Sequence, residues 1–347
     1  MIAEKNRQIK KESFIQSRQM ELHSKLQELF KKEGKATLEK VKKVILEEKI
    51  ECKEIQRALK YFLSYREKGF LVRPTLISLG SKAVGGDIEE IAEIATPLVL
   101  MSGGMDIHDD IIDNQKKQNS RFTVFGKFDK DVALLVGDAL LFKGLISWYK
   151  LLDKISMQKF IQITLLLEKA FFELGDGQAQ EVSLKGKINV SPEHYLQIVR
   201  KKAADIEALF HIGALIGNAS QSEIKALSNY GRCIGMLWIL GDDVVDMFNP
   251  NELKRRIKHG CLPLPLFYAM ENPKIKSRLR RILLKTRITK KDAKTILEMT
   301  IKFAGFKKTK SVMQNLVLEA LETIKHFKNA EDLKLLVEDY QNFIEQM

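Results

Sequence analysis

Apolar residues recur at every third or fourth position through most of the chain, which is the spacing of an α-helix with one buried face. Two stretches that show this spacing contain Leu134, Leu135, Leu141, Phe142 and Leu145, and Ile198, Ala203, Ile206, Leu209 and Ile212. No long alternating pattern of the kind that predicts a β-strand competes with it. The pattern therefore predicts an all-α protein of about a dozen helices.

Residues that interrupt this pattern, mainly glycine, proline and polar residues, give approximate bounds for the helices and loops. The predicted helices cover 1–33 (as one helix or two), then about 37–48, 51–65, 71–84, 88–113, 132–150, 157–181, 192–218 and 221–248, with shorter helices beyond. Breaks are expected at 33–35 and at the 85–87 turn, and loops at 114–130 and 185–189. A basic loop is expected over 249–260, and Thr289 and Asn329 are candidate helix caps. The absence of a repeat or linker predicts one domain, 1–347, with 1–60 as an N-terminal helical extension.

Composition narrows the class of protein. The chain has 347 residues, 45% of them hydrophobic and 30% charged, enough for one large domain. Its net charge is +13, but the basic residues are dispersed, without the interleaved aromatic residues of a nucleic-acid reader. No nucleic-acid partner is therefore expected. The charge favours contact with anionic diphosphates or, peripherally, with an acidic membrane surface.

The positions of the cysteines and the hydropathy of the chain indicate the cellular compartment of the protein. Cys52, Cys233 and Cys261 lie far apart, without the spacing of a disulfide framework or a metal site, and the last two have apolar surroundings that predict core positions. This usage fits a reducing cytoplasm. No run of about 18 apolar residues occurs, so no membrane span is expected.

Two aspartate clusters of the same form carry the candidate chemistry. Residues 109–113 read DDIID and residues 242–246 read DDVVD, each in an apolar, helix-favouring stretch. On a helix the first and fifth positions share a face, so each cluster directs its carboxylates to one side. Clustered carboxylates repel each other and need a compensating cation. Mg²⁺, which takes one or two carboxylates plus phosphate oxygens, is the predicted metal, with Asp109, Asp110, Asp113, Asp242, Asp243 and Asp246 as candidate ligands.

Five motifs in fixed order carry a resemblance to a known family. They are HDDIIDN at 108–114, VGDALL at 136–141, GQAQE at 177–181, KAA at 202–204 and GDDVVD at 241–246. From about residue 66 to residue 269, the chain resembles the trans-isoprenyl diphosphate synthases, or polyprenyl synthetases. The resemblance implies an enzyme, a prenyltransferase, built as a helical bundle around a central apolar cavity and assembled as a homodimer.

The resemblance also implies roles for particular residues. The two clusters hold Mg²⁺ at the cavity mouth, where an allylic prenyl diphosphate ionises. The implied catalytic residues are Asp109, Asp110, Asp113, Lys202 and Asp242, and the implied substrate-binding residues are Arg73, Lys202, Gln178, Lys258 and Gly104. A small residue at position 104 implies a deep cavity and a product of C20 or longer, although glycine also permits close helix packing. His108 is expected to support a ligand, since Mg²⁺ prefers oxygen.

The chain departs from the family pattern at the site for the second substrate, isopentenyl diphosphate. Arg73 matches, but Phe70 stands where the family has a lysine, and Gln118 and Asn119 stand where it has two arginines. Asp106 replaces a usually apolar residue and is expected to contact a neighbouring helix, with an extra metal or base group as the alternative.

These departures leave the acceptor open. Elongation with isopentenyl diphosphate is the first expectation, because basic residues remain nearby that would replace the lost cations: Lys68, Lys116, Lys117 and Arg121. The alternatives are prenyl transfer to another acceptor and cyclisation of the cation, as in a terpene cyclase. Loss of several charge-assisted phosphate contacts favours the alternatives.

Overall fold

The computed structural model describes residues 2–66, 69–86, 91–118 and 121–347, with side chains from residue 21 onward. The first helices are α1 (Ile2–Leu46), α2 (Lys53–Tyr65), α3 (Gly69–Ala83), α4 (Ile91–Ile112), α5 (Val124–Phe128), α6 (Lys130–Tyr149), α7 (Met157–Ser183) and α8 (Pro192–Lys202). They are followed by α9 (Ala204–Ile216), α10 (Gln221–Phe248), α11 (Pro250–His259), α12 (Leu264–Met270), α13 (Pro273–Leu283), α14 (Lys290–Lys302), α15 (Gly305–Ile324) and α16 (Glu331–Gln346). The all-α prediction is confirmed.

Short elements fill the connections. A 3₁₀ turn (Lys150–Asp153) joins α6 to α7. Two strands of two residues, β1 (Lys117–Gln118) and β2 (Arg121–Phe122), pair antiparallel within the predicted 114–130 loop. The turn after α3 contains Gly85 at φ 81°, a backbone conformation that favours glycine. Asp87 of that turn and the predicted helix start at 88 lie outside the described residues.

A bundle of long helices forms the centre of the molecule. α4 packs along α6, α9 lies between α3 and α10, and α15 packs on the other side of α10. The largest hydrophobic cluster extends in sequence from Leu26 on α1 to Ile344 on α16, and a second cluster lies among α1, α2, α4 and α6. The largest cluster therefore draws on helices from both ends of the chain.

Glycines let α3 and α9 approach each other closely. A Cβ atom at Gly213 would collide with the Ile77 carbonyl oxygen, and one at Gly80 would lie 2.9 Å from the Phe210 carbonyl oxygen. The predicted break at Gly34 is wrong, because this glycine also permits two helices to approach closely. α1 continues through it, and a Cβ atom there would lie 2.7 Å from the Cα atom of Leu71 on α3.

The predicted helix over 192–218 is two helices that meet at Ala203. Ala203 has φ −77° and ψ 3°, which ends the regular ladder of α8. The carbonyl of Arg200, in the last turn of α8, accepts a 2.5 Å hydrogen bond from Nη1 of Arg232 on α10. Arg232, on another helix, thus satisfies a carbonyl at the end of α8. The spacing of residues 192–218 does not predict this contact.

The predicted loop over 249–260 is also wrong, because these residues form α11. The Asn249 side chain caps its start, and Leu253 and Ile257 bury one face at helical spacing. Thr289 is confirmed as a cap, in a capping box with Asp292. The prediction for Asn329 is wrong: α16 starts at 331, and the Asn329 amide donates to the Lys82 carbonyl instead.

The stretch Lys130–Asp153 is long and apolar enough to cross a membrane by length and composition, which the sequence-based expectation of no span did not anticipate. One face of α6 packs on α4, as in a core helix, and a third of the most apolar window is buried. The structure records Cys52, Cys233 and Cys261 as free thiols, with the last two buried as predicted.

A pair of glycine substitutions tests the close helix crossing. We expect Gly213→Ala to lower the free energy of unfolding by about 1–3 kcal/mol, because the added methyl group overpacks the α3–α9 contact. Gly175→Ala in α7 meets no atom within 4 Å, so we expect it to be neutral or to stabilise by up to about 1 kcal/mol. Urea unfolding of both variants checks this. Equal losses in both variants would contradict it.

Candidate active site

The first aspartate cluster lies at the end of α4, beside α7. Asp109 and Asp110 are in the last turn of α4, and Asp113 follows it. The amide of Gln178 on α7 donates a 2.5 Å hydrogen bond to Oδ1 of Asp109. The ammonium of Lys185 lies 3.3 Å from Oδ1 of Asp113. Gln178 on α7 therefore orients the Asp109 carboxylate, and Lys185, in the turn after α7, pairs with Asp113.

The second cluster lies near the end of α10, and one of its three aspartates is buried. Asp243 is fully buried, whereas Asp242 is exposed. The carboxylate of Asp243 accepts hydrogen bonds from the Leu264 amide (2.8 Å) and the Tyr195 hydroxyl (3.1 Å). Asp243 was predicted as a metal ligand; in this structure its carboxylate joins α10 to α8 and α12.

Arg256 on α11 supplies the positive charge for this cluster. Its Nη2 lies 2.7 Å from Oδ1 of Asp243, and its Nη1 lies 3.0 Å from Oδ2 of Asp246. The sequence suggested Lys258 instead, but Lys258 is exposed and its ammonium donates to the Lys285 carbonyl. Because 249–260 was predicted as a loop, Arg256 was missed. The helical spacing of Leu253 and Ile257 was the available signal.

Lys202 links the two clusters electrostatically. It ends α8, where the helix breaks, and its ammonium forms an ion pair with Glu181 of α7. Burial opposes its charge, but Glu181 and Asp109 outweigh burial and raise the pKa of Lys202. The same ammonium favours the charged forms of both Asp109 and Asp242. Lys202 is therefore within electrostatic reach of both clusters.

The exposed carboxylates of the cleft lack enough cationic partners. Desolvation in the cleft, with repulsion from Asp113, raises the pKa of Asp109 to about 7. Desolvation also raises the pKa of Asp110 to about 8 and, with repulsion from Asp246, that of Asp242 to about 6. Such shifts mark acids that a further cation would stabilise.

The donor set fits Mg²⁺ held jointly with a substrate. Among the described residues, no three acidic, histidine or cysteine side chains are arranged to hold a metal ion by themselves. Mg²⁺ commonly takes only one or two carboxylates and completes its shell with phosphate oxygens and water. The under-compensated acids on α4 and α10 match that requirement.

Arg73, on α3, has acidic neighbours where a diphosphate site was expected. Its Nη2 lies 3.5 Å from Oδ1 of Asp106 and 3.9 Å from Oδ2 of Asp205. Arg66, after α2, forms a second ion pair with Asp106. The expected contact of Asp106 with a neighbouring helix is therefore observed. Arg66 was not among the expected cations, although it lies seven residues before Arg73.

The replaced residues of this region have other packing roles. Phe70 is buried in an edge-to-face contact with Phe62, at a ring distance of 5.3 Å. The side-chain oxygen of Gln118, Oε1, accepts hydrogen bonds from the Tyr65 hydroxyl and from Nη1 of Arg66.

The four proposed substitute cations differ in their surroundings. Lys116 and Lys117 lie over the rings of Phe125 and Phe122, respectively. The side chain of Arg121, in β2, is exposed. Lys68 and Asn119 lie outside the described residues.

A small apolar cavity of about 50 Å³ is lined in part by Arg73 and Asp205. Its other lining residues are Leu98, Met101, Ser102, Met105, Leu167, Ala170, Phe171, Leu174, Ala208 and Leu209. The α4 members, from Leu98 to Met105, span two turns, about 10 Å at the helical rise. The cavity therefore lies along α4 inside the bundle, about one turn before Asp109.

Gly104 is not among the residues that line this cavity. A Cβ atom on it would lie 2.5 Å from the Gly137 carbonyl oxygen of α6. Gly137 in turn leaves room for the ring of His108, whose Nε2 lies 3.3 Å from Oδ1 of Asp138. The structure thus gives Gly104 the helix-packing role, and not the predicted place at the cavity floor.

Arg256 and Lys258 offer a matched test of the second cluster. We expect Arg256→Met to lower the free energy of unfolding by about 3–5 kcal/mol, because it leaves the buried Asp243 carboxylate unpaired. Lys258→Met changes an exposed residue and should stay within about 0.5 kcal/mol of wild type. Chemical denaturation at neutral pH measures both. A smaller loss for Arg256→Met than for Lys258→Met would refute the assignment.

Comparison with known proteins agrees with this geometry. The sequence profile of the polyprenyl synthetase family matches residues 52–300. The short chain isoprenyl diphosphate synthase of Methanothermobacter thermautotrophicus is 30% identical over 220 residues, which cover 62% of this chain and 67% of that protein. The geranylgeranyl diphosphate synthase of Methanosarcina mazei is 30% identical over 212 residues, 60% of this chain and 64% of that one.

The fold is similar to that of solved synthases over nearly the whole chain. The geranylgeranyl pyrophosphate synthetase of Pyrococcus horikoshii superposes with a TM-score of 0.80 at 25% identity, covering 93% of this chain and 99% of that one. A decaprenyl diphosphate synthase of Rhodobacter capsulatus has the same fold, with a TM-score of 0.79 at 17% identity. The chain therefore belongs to the polyprenyl synthetase family, and it is a prenyltransferase enzyme.

Proposed function

We propose that this enzyme ionises an allylic prenyl diphosphate in the cleft between α4 and α10 and transfers the prenyl group to isopentenyl diphosphate. The observation that supports this most directly is the reach of one ammonium, that of Lys202, to both Asp109 and Asp242. A diphosphate bound between the clusters would meet this cation. The relatives named above are isoprenyl and geranylgeranyl diphosphate synthases, which supports the same chemistry here.

The proposed reaction breaks the allylic C–O bond, and the pyrophosphate leaves with both electrons. The double bond of the acceptor supplies the pair for the new C–C bond, and the pyrophosphate takes up the proton that is then lost. Lys202 stabilises the charge that develops on the leaving group, and the apolar cavity excludes water from the allylic cation.

Magnesium would be held by Asp109, Asp110 and Asp113 on one side and by Asp242 and Asp246 on the other. When bound, it neutralises charge on the departing pyrophosphate. Gln178 orients Asp109, and Arg256 orients Asp246. Asp243 has a positioning role in this proposal, because its oxygens are already occupied.

A second candidate is transfer to an acceptor that carries no diphosphate, or cyclisation without an acceptor. The observation that favours it is the pairing of both arginines of the second site with acids. In elongation, those arginines would have to contact the acceptor's diphosphate. Product analysis separates the candidates.

We propose a product of C20 or longer, whose growing chain would pass between α7 and α9. An open groove on the far side of α7 and α9 shares two lining residues with the apolar cavity, Ala170 and Ala208. Together with Ala204, these small side chains form a cluster of their own. A growing chain would pass between α7 and α9 at these methyl groups.

We also propose a cytoplasmic homodimer that associates through α6 and α7. The two helices are joined at one end, where Trp148 stacks on Phe160. They expose large apolar side chains at helical spacing: Leu135, Phe142, Ile146 and Tyr149 on α6, and Ile161, Leu165 and Phe172 on α7. Contiguous apolar surface of this kind marks association sites. The three free cysteines fit a reducing compartment.

The central experiment incubates the protein with Mg²⁺ and C10, C15 or C20 prenyl diphosphates, with and without isopentenyl diphosphate. We expect longer prenyl diphosphates only when the acceptor is present. Asp109→Asn and Asp242→Asn should each reduce pyrophosphate release by at least about 100-fold, because each removes charge that would hold the metal.

The controls make the outcomes distinct. Asp176→Asn removes an exposed carboxylate paired with Lys201 and should leave the rate near that of wild type. Hydrocarbon products without isopentenyl diphosphate would favour cyclisation. Wild-type turnover by Asp109→Asn would refute the metal assignment.

Product length should respond to the alanine passage. We expect Ala208→Phe to shorten the longest product by at least one five-carbon unit, because the ring would fill the cavity that Ala208 lines and block the proposed path. Gln162→Phe, at an exposed position that lines only the outer groove, should leave a C20 product unchanged. Chromatography of dephosphorylated products measures both. Unchanged length in Ala208→Phe would show that chains end before the passage.

The dimer is tested by charging its apolar surface. We expect the double variant Leu135→Lys, Phe142→Glu to sediment as a monomer at a concentration where wild type is a dimer. Leu318→Lys, at an equally exposed position on α15, should remain dimeric. A monomeric wild type that binds anionic vesicles through this surface would instead support the peripheral membrane contact.

A further inference from the structure

One carboxylate occupies the two arginines of the second substrate site. The Asp106 side chain lies between the guanidinium groups, with Oδ2 paired to Nη2 of Arg66 and Oδ1 3.5 Å from Nη2 of Arg73. About a quarter of each of the three side chains is exposed. All three are therefore partly open to solvent, and Arg73 also lines the apolar cavity.

The surrounding residues hold this arrangement in place. Gln118 accepts from Nη1 of Arg66 at 3.2 Å and from the Tyr65 hydroxyl at 2.7 Å. Asp205, from the first turn of α9, adds a second acid 3.9 Å from Arg73. Burial opposes the charge on Asp106, but the two arginines outweigh it and hold its pKa below the ordinary range. Asp106 is therefore ionised at neutral pH.

A diphosphate bound to Arg66 and Arg73 would compete with the Asp106 carboxylate for the Nη2 donors of both guanidinium groups. Guanidinium groups bind carboxylates and phosphates through similar paired hydrogen bonds, so one anion excludes the other. A diphosphate that reached Arg66 and Arg73 would also meet the negative charge of Asp106 at short range. An uncharged acceptor would face neither penalty.

We propose that Asp106 determines acceptor preference by competing with diphosphates for Arg66 and Arg73. It weakens the binding of any diphosphate acceptor relative to an uncharged one. This inference rests on the proposed function in one respect, that the region around Arg73 is the acceptor site. The competition by Asp106 would operate in either case: with isopentenyl diphosphate as a slow acceptor, or with a different natural acceptor.

A purely structural role for Asp106 predicts a different outcome. If Asp106 only anchors α3 to α4, its replacement should loosen the site and weaken all ligands. If it competes with the ligand, its replacement should strengthen diphosphate binding even where stability falls. The direction of the change in affinity therefore separates the two roles.

The test compares wild type with Asp106→Asn, which keeps the shape and removes the charge. With Mg²⁺ present, we expect the KM for isopentenyl diphosphate to fall at least tenfold, without a matching fall in the KM for the allylic substrate. Titration calorimetry with isopentenyl diphosphate should show the same gain. The gain should vanish when Arg66→Met is added to Asp106→Asn, because the freed donor is then absent.

Controls keep the result interpretable. Glu173→Gln removes one of two acids from the buried Arg232, outside the second site, and should leave the KM for isopentenyl diphosphate unchanged. Should Asp106→Asn fail to fold, Asp106→Ser provides the same charge change. An unchanged or raised KM in a folded variant would overturn the proposal. Absence of pyrophosphate release from any allylic diphosphate in wild type would instead overturn the proposed function, while the binding measurement still decides the role of Asp106.

Discussion

Compensation of negative charge in one cleft is the constraint on which the arrangement of this molecule depends. Carboxylates near the ends of α4 and α10 lie within electrostatic reach of Lys202, and each must find a cation or lose its charge. Arg256 neutralises the buried Asp243, and Lys202 is shared by Glu181 and the two clusters. The helices that bring these cations into the cleft, α8 and α11, therefore owe their placement to charge as well as to apolar packing.

The same constraint separates two kinds of acid. Asp243 is buried and receives the Leu264 amide, the Tyr195 hydroxyl and Arg256, whereas Asp109 and Asp242 are exposed. The exposed acids are those that a ligand in the cleft can reach. A site that stays electrostatically incomplete until substrate arrives is well suited to a reaction whose leaving group carries most of the charge.

Sequence reasoning recovered what depends on local spacing. The bounds of α10, the cap at Thr289 and the location of both aspartate clusters follow from periodicity and motif. It failed where distant residues decide the outcome. The break at Ala203 involves Arg232, and the role of Gly34 depends on α3 passing close by. Such contacts join residues far apart in the chain, and a single sequence contains no record of them.

The long helix α7 contributes both to the proposed active site and to the outer surface of the protein. α7 carries Gln178 and Glu181 toward the cleft, while Phe172, less than two turns earlier, is among the most exposed apolar side chains of the protein. A continuous helix of 27 residues transmits a tilt along its whole length. Whatever rests against the outer face of α7 therefore also adjusts the position of the amide on Asp109, so that the quaternary environment and the catalytic geometry share one mechanical element.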